Sequence, residues 1–154
     1  MEQYTFNKIA KDSKIPYELL LLADETVEAI NQYIFKCDIY LLHDGTENIA
    51  VMALYKNSDT ELEIKNIAVI ESYRSKGIGS ILINKAKEIA RESRYEILSV
   101  GTSDTGFEQI RFYERNGFVK KGIRKDFFIE NYSLPIYENG LQMRDMIILE
   151  YTFF

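Results

Sequence analysis

The chain has 154 residues, 46% hydrophobic and 28% charged, which is typical of one globular domain of about 150 residues. A single cysteine and a single histidine exclude an internal disulfide framework and disfavour a zinc site built from Cys and His. The net charge of −5 disfavours nucleic acid or an anionic membrane as the main partner.

The first half of the chain predicts helices set between strands. Apolar residues recur at helical spacing over residues 16–36, and Asp24 is expected to cap the second of two helices there. Asp44-Gly45 is typical of a hairpin turn, and a second turn is expected at residues 57–59. Strands are predicted over residues 4–9, 38–43, 49–55 and 62–70.

The second half predicts two helices and three strands. One helix follows the Gly-rich turn at residues 74–80 and keeps one apolar face. A second helix is expected to begin at a Thr105/Glu108 capping box and to end at Asn116-Gly117. Strands are predicted over residues 97–100, 118–129 and 143–153, with a loop over residues 131–142. The element order indicates a mixed α/β domain with a partly antiparallel sheet.

The turn Arg74-Ser75-Lys76-Gly77-Ile78-Gly79 lies between a predicted strand and a predicted helix. Glycines allow a close backbone approach, and the free N–H groups of a first helical turn attract anions. The turn lacks the Walker A pattern, and Leu82 replaces the third glycine of a dinucleotide-binding motif. The residues alone therefore leave two interpretations open, an anion-binding turn and ordinary turn chemistry.

The residues around the turn resemble the GNAT superfamily of acetyl-CoA-dependent N-acetyltransferases. Ile67-Ala68-Val69 followed by Arg74-x-x-Gly77-x-Gly79 resembles the family's strand and turn signature. Phe112-Tyr113 followed by Gly117-Phe118 resembles its second marker. The resemblance implies a single domain over residues 1–154 with the GNAT fold. In that fold a twisted, mostly antiparallel sheet of about six to seven strands carries helices on both faces.

The resemblance also implies where acetyl-CoA binds as cosubstrate. The pantetheine and thioester would bond to the main chain of Ile67, Ala68 and Val69, with the Val69 N–H facing the thioester oxygen. Many family members carry an Asn after the next strand, where this chain has Thr102 and Ser103. The pyrophosphate would be held by the turn, through Arg74, Ser75, Lys76, Gly77, Ile78, Gly79 and Ser80.

The implied reaction is direct transfer of an acetyl group to a primary amine, without a metal. It needs a neutral amine and a protonated leaving thiolate. Tyr113 is the expected acid. Glu63 is one candidate base, because Glu61, Glu63, Lys65, Ile67 and Val69 share one strand face if no bulge intervenes. Deprotonation through water is the other.

The sequence leaves the identity of the acceptor open. A small amine is favoured, whereas a protein Lys or N-terminus and a non-catalytic acyl-CoA-binding regulatory domain are the alternatives. One wall of the acceptor pocket is expected from the N-terminal helices with Tyr33 and Phe35. The opposite wall, or else a solvated face, is expected from Asp126, Tyr132, Tyr137, Glu138 and Asp145.

The remaining candidates have structural interpretations. His43 is expected to be an exposed turn residue, Cys37 a buried apolar side chain, and Asp104 a loop residue that binds substrate or supports the turn. The lone cysteine and the lack of a signal peptide predict a cytoplasmic protein. The apolar residues 151–154 suggest a strand edge for a homodimer.

Overall fold

The computed structural model describes residues 3–153. Its strands are β1 (Thr5–Lys8), β2 (Asp38–His43), β3 (Asn48–Lys56), β4 (Glu61–Val69), β5 (Ile97–Ser103), β6 (Val119–Arg124), β7 (Tyr137–Glu138), β8 (Leu141–Gln142) and β9 (Met146–Thr152). Its α-helices are α1 (Tyr17–Leu20), α2 (Val27–Asn31), α3 (Ile78–Glu92), α4 (Phe107–Arg115) and α5 (Phe127–Asn131). Short 3₁₀ turns cover Ile34–Lys36 and Glu71–Tyr73.

Seven strands of this described part form one sheet in the order β1-β2-β3-β4-β5-β9-β6. β4 and β5 are parallel, because the chain returns to the sheet through α3, and the other neighbouring strands of this sheet are antiparallel. The prediction of a mixed, mostly antiparallel sheet with helices on both faces is confirmed.

The two faces of the sheet carry separate hydrophobic clusters. One face packs against α3 and α4 and buries Leu82, Ile83 and Tyr113 with residues from β2 to β5 and β9. The other packs against α1, α2 and the first 3₁₀ turn and buries Leu20 and Ile30. We call them the α3/α4 face and the α1/α2 face.

A β-bulge interrupts the pairing of β3 with β4. Ala53 pairs with Asn66 and Leu54 pairs with Ile64, so Lys65 is an extra residue of β4. Side chains normally alternate along a strand, and one extra residue exchanges the faces beyond it. Leu62 and Ile64 therefore lie on the α3/α4 face with Ile67 and Val69.

Several local predictions are wrong. Thr26, not Asp24, caps α2 and accepts a hydrogen bond from the Ala29 N–H. Thr105 does not form a capping box, because α4 begins after Gly106 and the Thr105 hydroxyl contacts Ser103. The strand predicted over residues 118–129 ends at Arg124 and is followed by α5. The predicted loop over residues 131–142 contains the β7–β8 hairpin.

The expected edge at residues 151–154 is only partly an edge. β9 lies between β5 and β6, but its pairing with β6 ends at Glu150, so Tyr151 and Thr152 pair with β5 alone. Phe154 lies outside the described residues. Tyr151 packs against Phe118 and Phe153. The homodimer stays a prediction. None of the helices in residues 3–153 is long and apolar enough to cross a membrane.

Candidate functional site

β4 and β5 separate in the middle of the sheet. Their parallel register runs from Glu61↔Ile97 to Ile64↔Val100, and beyond it β4 pairs with β3 while β5 pairs with β9. The bulge at Lys65 lies just where the two strands part, as expected of a feature that bends a strand. Residues 65–69 of β4 therefore border a gap.

Backbone N–H groups of β4 point into this gap. The Ile70 N–H donates to the Ile49 carbonyl of β3 at 2.9 Å. Because N–H directions alternate along a strand, the Ile67 and Val69 N–H groups point away from β3, toward the gap. An extended ligand could pair with this edge as an added strand.

The Gly-rich turn at the end of the gap presents a run of free donors. Gly77 has φ 81° and precedes α3, and Ser75 has φ 62°, so both adopt the left-handed conformation. No acceptor within residues 3–153 meets the six consecutive N–H groups from Ser75 to Ser80. Together with the dipole of a 15-residue helix, these free N–H groups make the turn suited to an anionic ligand.

Three side-chain contacts hold the turn in place. Arg74 Nε donates to the Val69 carbonyl at 3.1 Å, which ties the turn to the end of β4. The Tyr73 hydroxyl donates to Asp44 Oδ2 in the β2–β3 hairpin. Lys76 lies over the Tyr73 ring, 5.2 Å from its centroid. Two exposed, positively charged side chains, those of Arg74 and Lys76, therefore lie at the turn.

The two sequence markers meet in space. A Cβ atom on Gly79 would lie 3.1 Å from Cζ of Phe112, so the ring of α4 covers the first turn of α3. The next residue, Tyr113, is 5% exposed and contacts the rings of Phe112 and Phe118. Of the expected α4 face, Ile110 and Tyr113 are buried but Phe107 is 42% exposed.

The Tyr113 hydroxyl is buried and is free to donate its proton to a ligand. It makes no hydrogen bond to any other described residue. Burial raises the pKa of Tyr113 above its ordinary value, so the phenol stays neutral at physiological pH. Ile67 and Val69, whose N–H groups point into the gap, pack against the same cluster.

Glu63 does not share a face with Ile67 and Val69, because the bulge intervenes. Glu63 is 7% exposed, and its carboxylate accepts a hydrogen bond from Asn57 Nδ2 at 2.8 Å and pairs with Lys65 at 3.3 Å. Glu63 therefore lies on the α1/α2 side of β4, immediately before the gap.

The segment after β5 is held by polar contacts. Ser103 and Thr105 share a hydroxyl hydrogen bond of 2.7 Å, and Thr105 also donates to Glu138 at 3.0 Å. Asp104 accepts from the Arg144 N–H at 3.2 Å, and Asp145 accepts from the Asp126 N–H at 2.8 Å. Ser103 and Asp104 thus stabilise the turn between β5 and α4. Among the predicted pocket residues, Tyr137 is 67% exposed and Phe35 is 64% exposed.

Asp24 and Asn66 were not predicted to belong to the site. Asp24 accepts hydrogen bonds from the hydroxyls of Tyr33 and Tyr132, at 3.0 and 2.7 Å. Asn66, 4% exposed, donates to the Tyr33 hydroxyl at 3.1 Å. The sequence offered one indication of these contacts, because Asn66 is an amide residue inside the apolar run of residues 62–70.

Two residues are removed from the candidates. Cys37 is 2% exposed, and burial raises the pKa of its thiol to about 12, so the expected buried role is confirmed. His43 is half-buried rather than exposed, and its Nδ1 accepts from the Gly45 N–H at 2.9 Å. Both side chains have structural roles.

Comparisons with known proteins identify the family of the chain. The model of the acetyltransferase (GNAT) family matches residues 7–118. An uncharacterized N-acetyltransferase of Bacillus subtilis, YvbK, is 37% identical over 133 residues, 86% of each chain. A GNAT family acetyltransferase from Elizabethkingia anophelis, solved with acetyl-CoA bound, has a TM-score of 0.93 and 38% identity over 97% of each chain.

A second solved structure is similar over nearly the whole chain. The protein described as IAA acetyltransferase from Bacillus cereus has a TM-score of 0.91 and 35% identity, covering 97% of this chain and 99% of its own. The family match spans more than half of the chain, and both solved structures share its fold. The chain therefore belongs to the GNAT family and is an acetyltransferase.

Proposed function

We propose that the protein transfers acetyl from acetyl-CoA to a primary amine of a small molecule, by direct attack of the amine. The observation that carries this proposal is the unpaired edge of β4, at residues 65–69, leading to the six free N–H groups from Ser75 to Ser80. The related Elizabethkingia anophelis structure, which has acetyl-CoA bound, supports acetyl-CoA as the cosubstrate.

The cofactor lies along β4 in this proposal. The turn from Arg74 to Ser80 binds the pyrophosphate through backbone N–H groups and through the charges of Arg74 and Lys76. The pantetheine pairs as an added strand with Ile67 and Val69, whose N–H groups point into the gap, whereas the N–H of Ala68 between them points toward β3. The thioester oxygen accepts from an N–H that points into the gap, that of Ile67 or Val69, which stabilises the developing oxyanion.

The chemistry requires two proton movements. The neutral amine attacks the thioester carbon, an N–C bond forms and the C–S bond breaks, with the sulfur taking the bonding electrons. Tyr113 donates its proton to this sulfur, and the amine loses a proton to Glu63 or to water. Because the thiolate forms in the same buried region, loss of solvation raises its pKa as well, which favours transfer from the phenol.

A small acceptor is supported by the way the C-terminal segment approaches the N-terminal helices. The Tyr132 hydroxyl bonds to Asp24, 108 residues earlier in the chain, and Tyr132 stacks on Phe128. Through Tyr33, this bridge is connected to Asn66 on the α1/α2 side of β4, next to the gap. An extended protein substrate would need an open groove there.

The test is release of CoA from acetyl-CoA with a panel of primary amines, measured for the native protein and for Tyr113→Phe. We expect kcat in the variant to fall by roughly 10²- to 10⁴-fold, the usual contribution of a general acid. The acetyl-CoA affinity should stay near native in calorimetry.

Tyr40→Phe is the matched control, because Tyr40 is 8% exposed and belongs to the same hydrophobic cluster. Equal turnover of native protein and Tyr113→Phe would exclude Tyr113 as the acid. Tight acetyl-CoA binding without transfer to any amine, Lys peptides included, would favour a binding or regulatory domain.

A further inference from the structure

A chain of hydrogen bonds joins four polar side chains on the α1/α2 face. It runs from Tyr132 to Asp24, then to Tyr33 and to Asn66, at 2.7, 3.0 and 3.1 Å. We call these four residues the Asp24 cluster. They come from the segment before α2, the turn after it, β4 and the segment after α5, so the cluster joins three distant parts of the chain.

Every donor of the Asp24 cluster is already used. The Tyr132 and Tyr33 hydroxyls both donate to Asp24. The two hydrogens of Asn66 Nδ2 are donated to the Tyr33 hydroxyl and, at 3.0 Å, to the Leu20 carbonyl. Burial raises the pKa of both tyrosines, and Asp24 raises it further. Their hydroxyls therefore remain protonated donors at physiological pH.

All the vacant positions of the cluster are acceptors. Asn66 Oδ1 is buried and has no hydrogen-bond partner in the described part of the chain. The amide cannot be turned around, because its oxygen would then face the Leu20 carbonyl. Within residues 3–153, Asp24 Oδ2 accepts from Tyr33 alone. A carboxylate oxygen can accept more than one hydrogen bond, so a further position is open.

A ligand group that fills these positions must therefore donate hydrogen bonds, and it finds no free donor in the cluster for an acceptor of its own. A protonated amine satisfies this requirement, and its charge also matches the Asp24 carboxylate. A carboxylate or phosphate group would find neither a free donor nor a positive charge within the cluster. A neutral alkyl end would leave the vacant oxygen atoms unpaired, which is unfavourable in a buried region.

The cluster lies beside the gap in which the acetyl group is proposed to bind. Asn66 directly precedes Ile67, whose N–H points into the gap, and the Asn66 side chain lies on the opposite face from Ile67. The nitrogen that attacks must be neutral, whereas a nearby carboxylate favours the charged form of an amine. Asp24 is therefore suited to a nitrogen that does not react.

We propose that the Asp24 cluster binds a second, protonated nitrogen of the acceptor, so that the preferred substrates are diamines or similar dications. This inference rests on the proposed function, because it places the reacting nitrogen of the same molecule in the β4–β5 gap. Asp24 and Asn66 are then the residues that determine acceptor specificity.

The experiment compares three amines with the same five-carbon chain and the same reacting end. 1,5-Diaminopentane ends in an ammonium group, 1-aminopentane in a methyl group and 5-aminopentanoate in a carboxylate. With saturating acetyl-CoA, we expect kcat/KM for the diamine to exceed that of aminopentane by at least about tenfold, with aminopentanoate the poorest substrate.

Asp24→Asn keeps the shape of the side chain and removes the charge. The ratio of kcat/KM for diamine over aminopentane should fall to near one in this variant. Glu28→Gln removes an exposed charge from α2 and should keep the native ratio.

The proposal is overturned if the native protein uses the three amines equally, or if Asp24→Asn slows all three by the same factor. If no amine releases CoA, calorimetry separates the two proposals. Failure to bind acetyl-CoA would contradict the proposed function. Failure of the CoA-loaded protein to bind 1,5-diaminopentane would contradict the role of the Asp24 cluster.

Discussion

The ring of Phe112 rests on Gly79, and a Cβ atom on Gly79 would approach Phe112 Cζ to 3.1 Å. The second glycine of the turn thus makes room for an aromatic residue from the later helix. The spacing of the two sequence markers reflects one contact in the fold, beside the N–H groups proposed to bind the pyrophosphate.

Gly79→Ala should weaken cofactor binding more than it changes stability. Alanine favours a helix over glycine by about 1 kcal/mol, which offsets the cost of displacing the half-buried Phe112 ring. The Kd for acetyl-CoA should rise by about tenfold, or ~1.4 kcal/mol, as the ring shifts toward the cofactor. Calorimetry of Gly79→Ala with and without Phe112→Leu checks this, because the smaller side chain should restore affinity. An unchanged Kd in Gly79→Ala would contradict it.

Substitution of Gly77 should have a different effect from substitution of Gly79. A side chain at Gly77 would enter open space, but the backbone there is left-handed. Its φ is 81° and nothing lies within 4 Å of an added Cβ. Gly77→Ala should lower the free energy of unfolding by about 1–2 kcal/mol through backbone strain alone. Gly77→Asn should cost less, since Asn tolerates this conformation. Denaturant unfolding of both variants tests the order, and equal losses would contradict the role assigned to φ.

Stability should fall above pH 10. Burial raises the pKa of Tyr113 in the folded state, so above the ordinary tyrosine pKa of ~10 the unfolded chain holds fewer protons than the folded one. The contribution of Tyr113 is fully present below pH ~10 and is lost at a slope of up to ~1.4 kcal/mol per pH unit as the pH rises toward its folded pKa.

Urea unfolding between pH 8 and pH 11 measures this slope. Tyr113→Phe should have a shallower slope than the native protein, because it removes one of the tyrosines with a raised pKa. Tyr33 and Tyr132, whose pKa values are also raised, remain and keep part of the slope. Identical slopes in the two proteins would show that Tyr113 ionises normally in the folded state.

The contact between Tyr73 and Asp44 predicts an acid dependence of the opposite sign. The Tyr73 hydroxyl, followed by the N–H groups of Glu47 and Thr46, lowers the pKa of Asp44 to about 2. The stabilisation is therefore present above the unfolded pKa of ~3.9 and disappears as the pH falls through about 2.

Titration of the Asp44 carboxyl by NMR tests this contact directly. Tyr73→Phe should raise the Asp44 pKa toward its ordinary value, although the two backbone N–H groups should hold it somewhat below. Tyr55→Phe, outside this contact, serves as the control. An Asp44 pKa that is the same in the native protein and in Tyr73→Phe would rule out the bond in solution.

Cys37 should be inert while the chain is folded. It is 2% exposed, and burial raises its thiol pKa to about 12, so little thiolate exists near neutral pH. A thiol reagent at pH 8 should modify it only after unfolding in urea. Rapid modification of the native protein would contradict the buried position.

Much of this fold was predictable because local signals and topology agree. Gly77 and the aliphatic residues 67–69 predict a strand, turn and helix from a few neighbours in the chain, and the structure has them. The face assignment of Glu63 failed because it assumed regular alternation, whereas the bulge at Lys65 depends on pairing with Ala53 and Leu54 of another strand.

The contacts of the Asp24 cluster could not be predicted from the sequence, because they join residues that are far apart in the chain. Asp24 before an apolar helical run is a good local N-cap candidate, but Thr26 takes that position. The actual partners of Asp24 are Tyr33 and Tyr132, and the latter lies 108 residues away. No local pattern can indicate such a contact. The one available hint was Asn66, an amide in an otherwise apolar strand.

The free edge of β4 is bounded at both ends. Pairing with β5 stops at Ile64, and Arg74 Nε already occupies the Val69 carbonyl. The free edge is therefore five residues long, residues 65–69, or roughly 16 Å at the usual rise per residue. An extended molecule that binds there has a fixed length of strand to match. In the proposed complex, the length of this edge therefore fixes the distance between a phosphate at the turn and the reacting carbon.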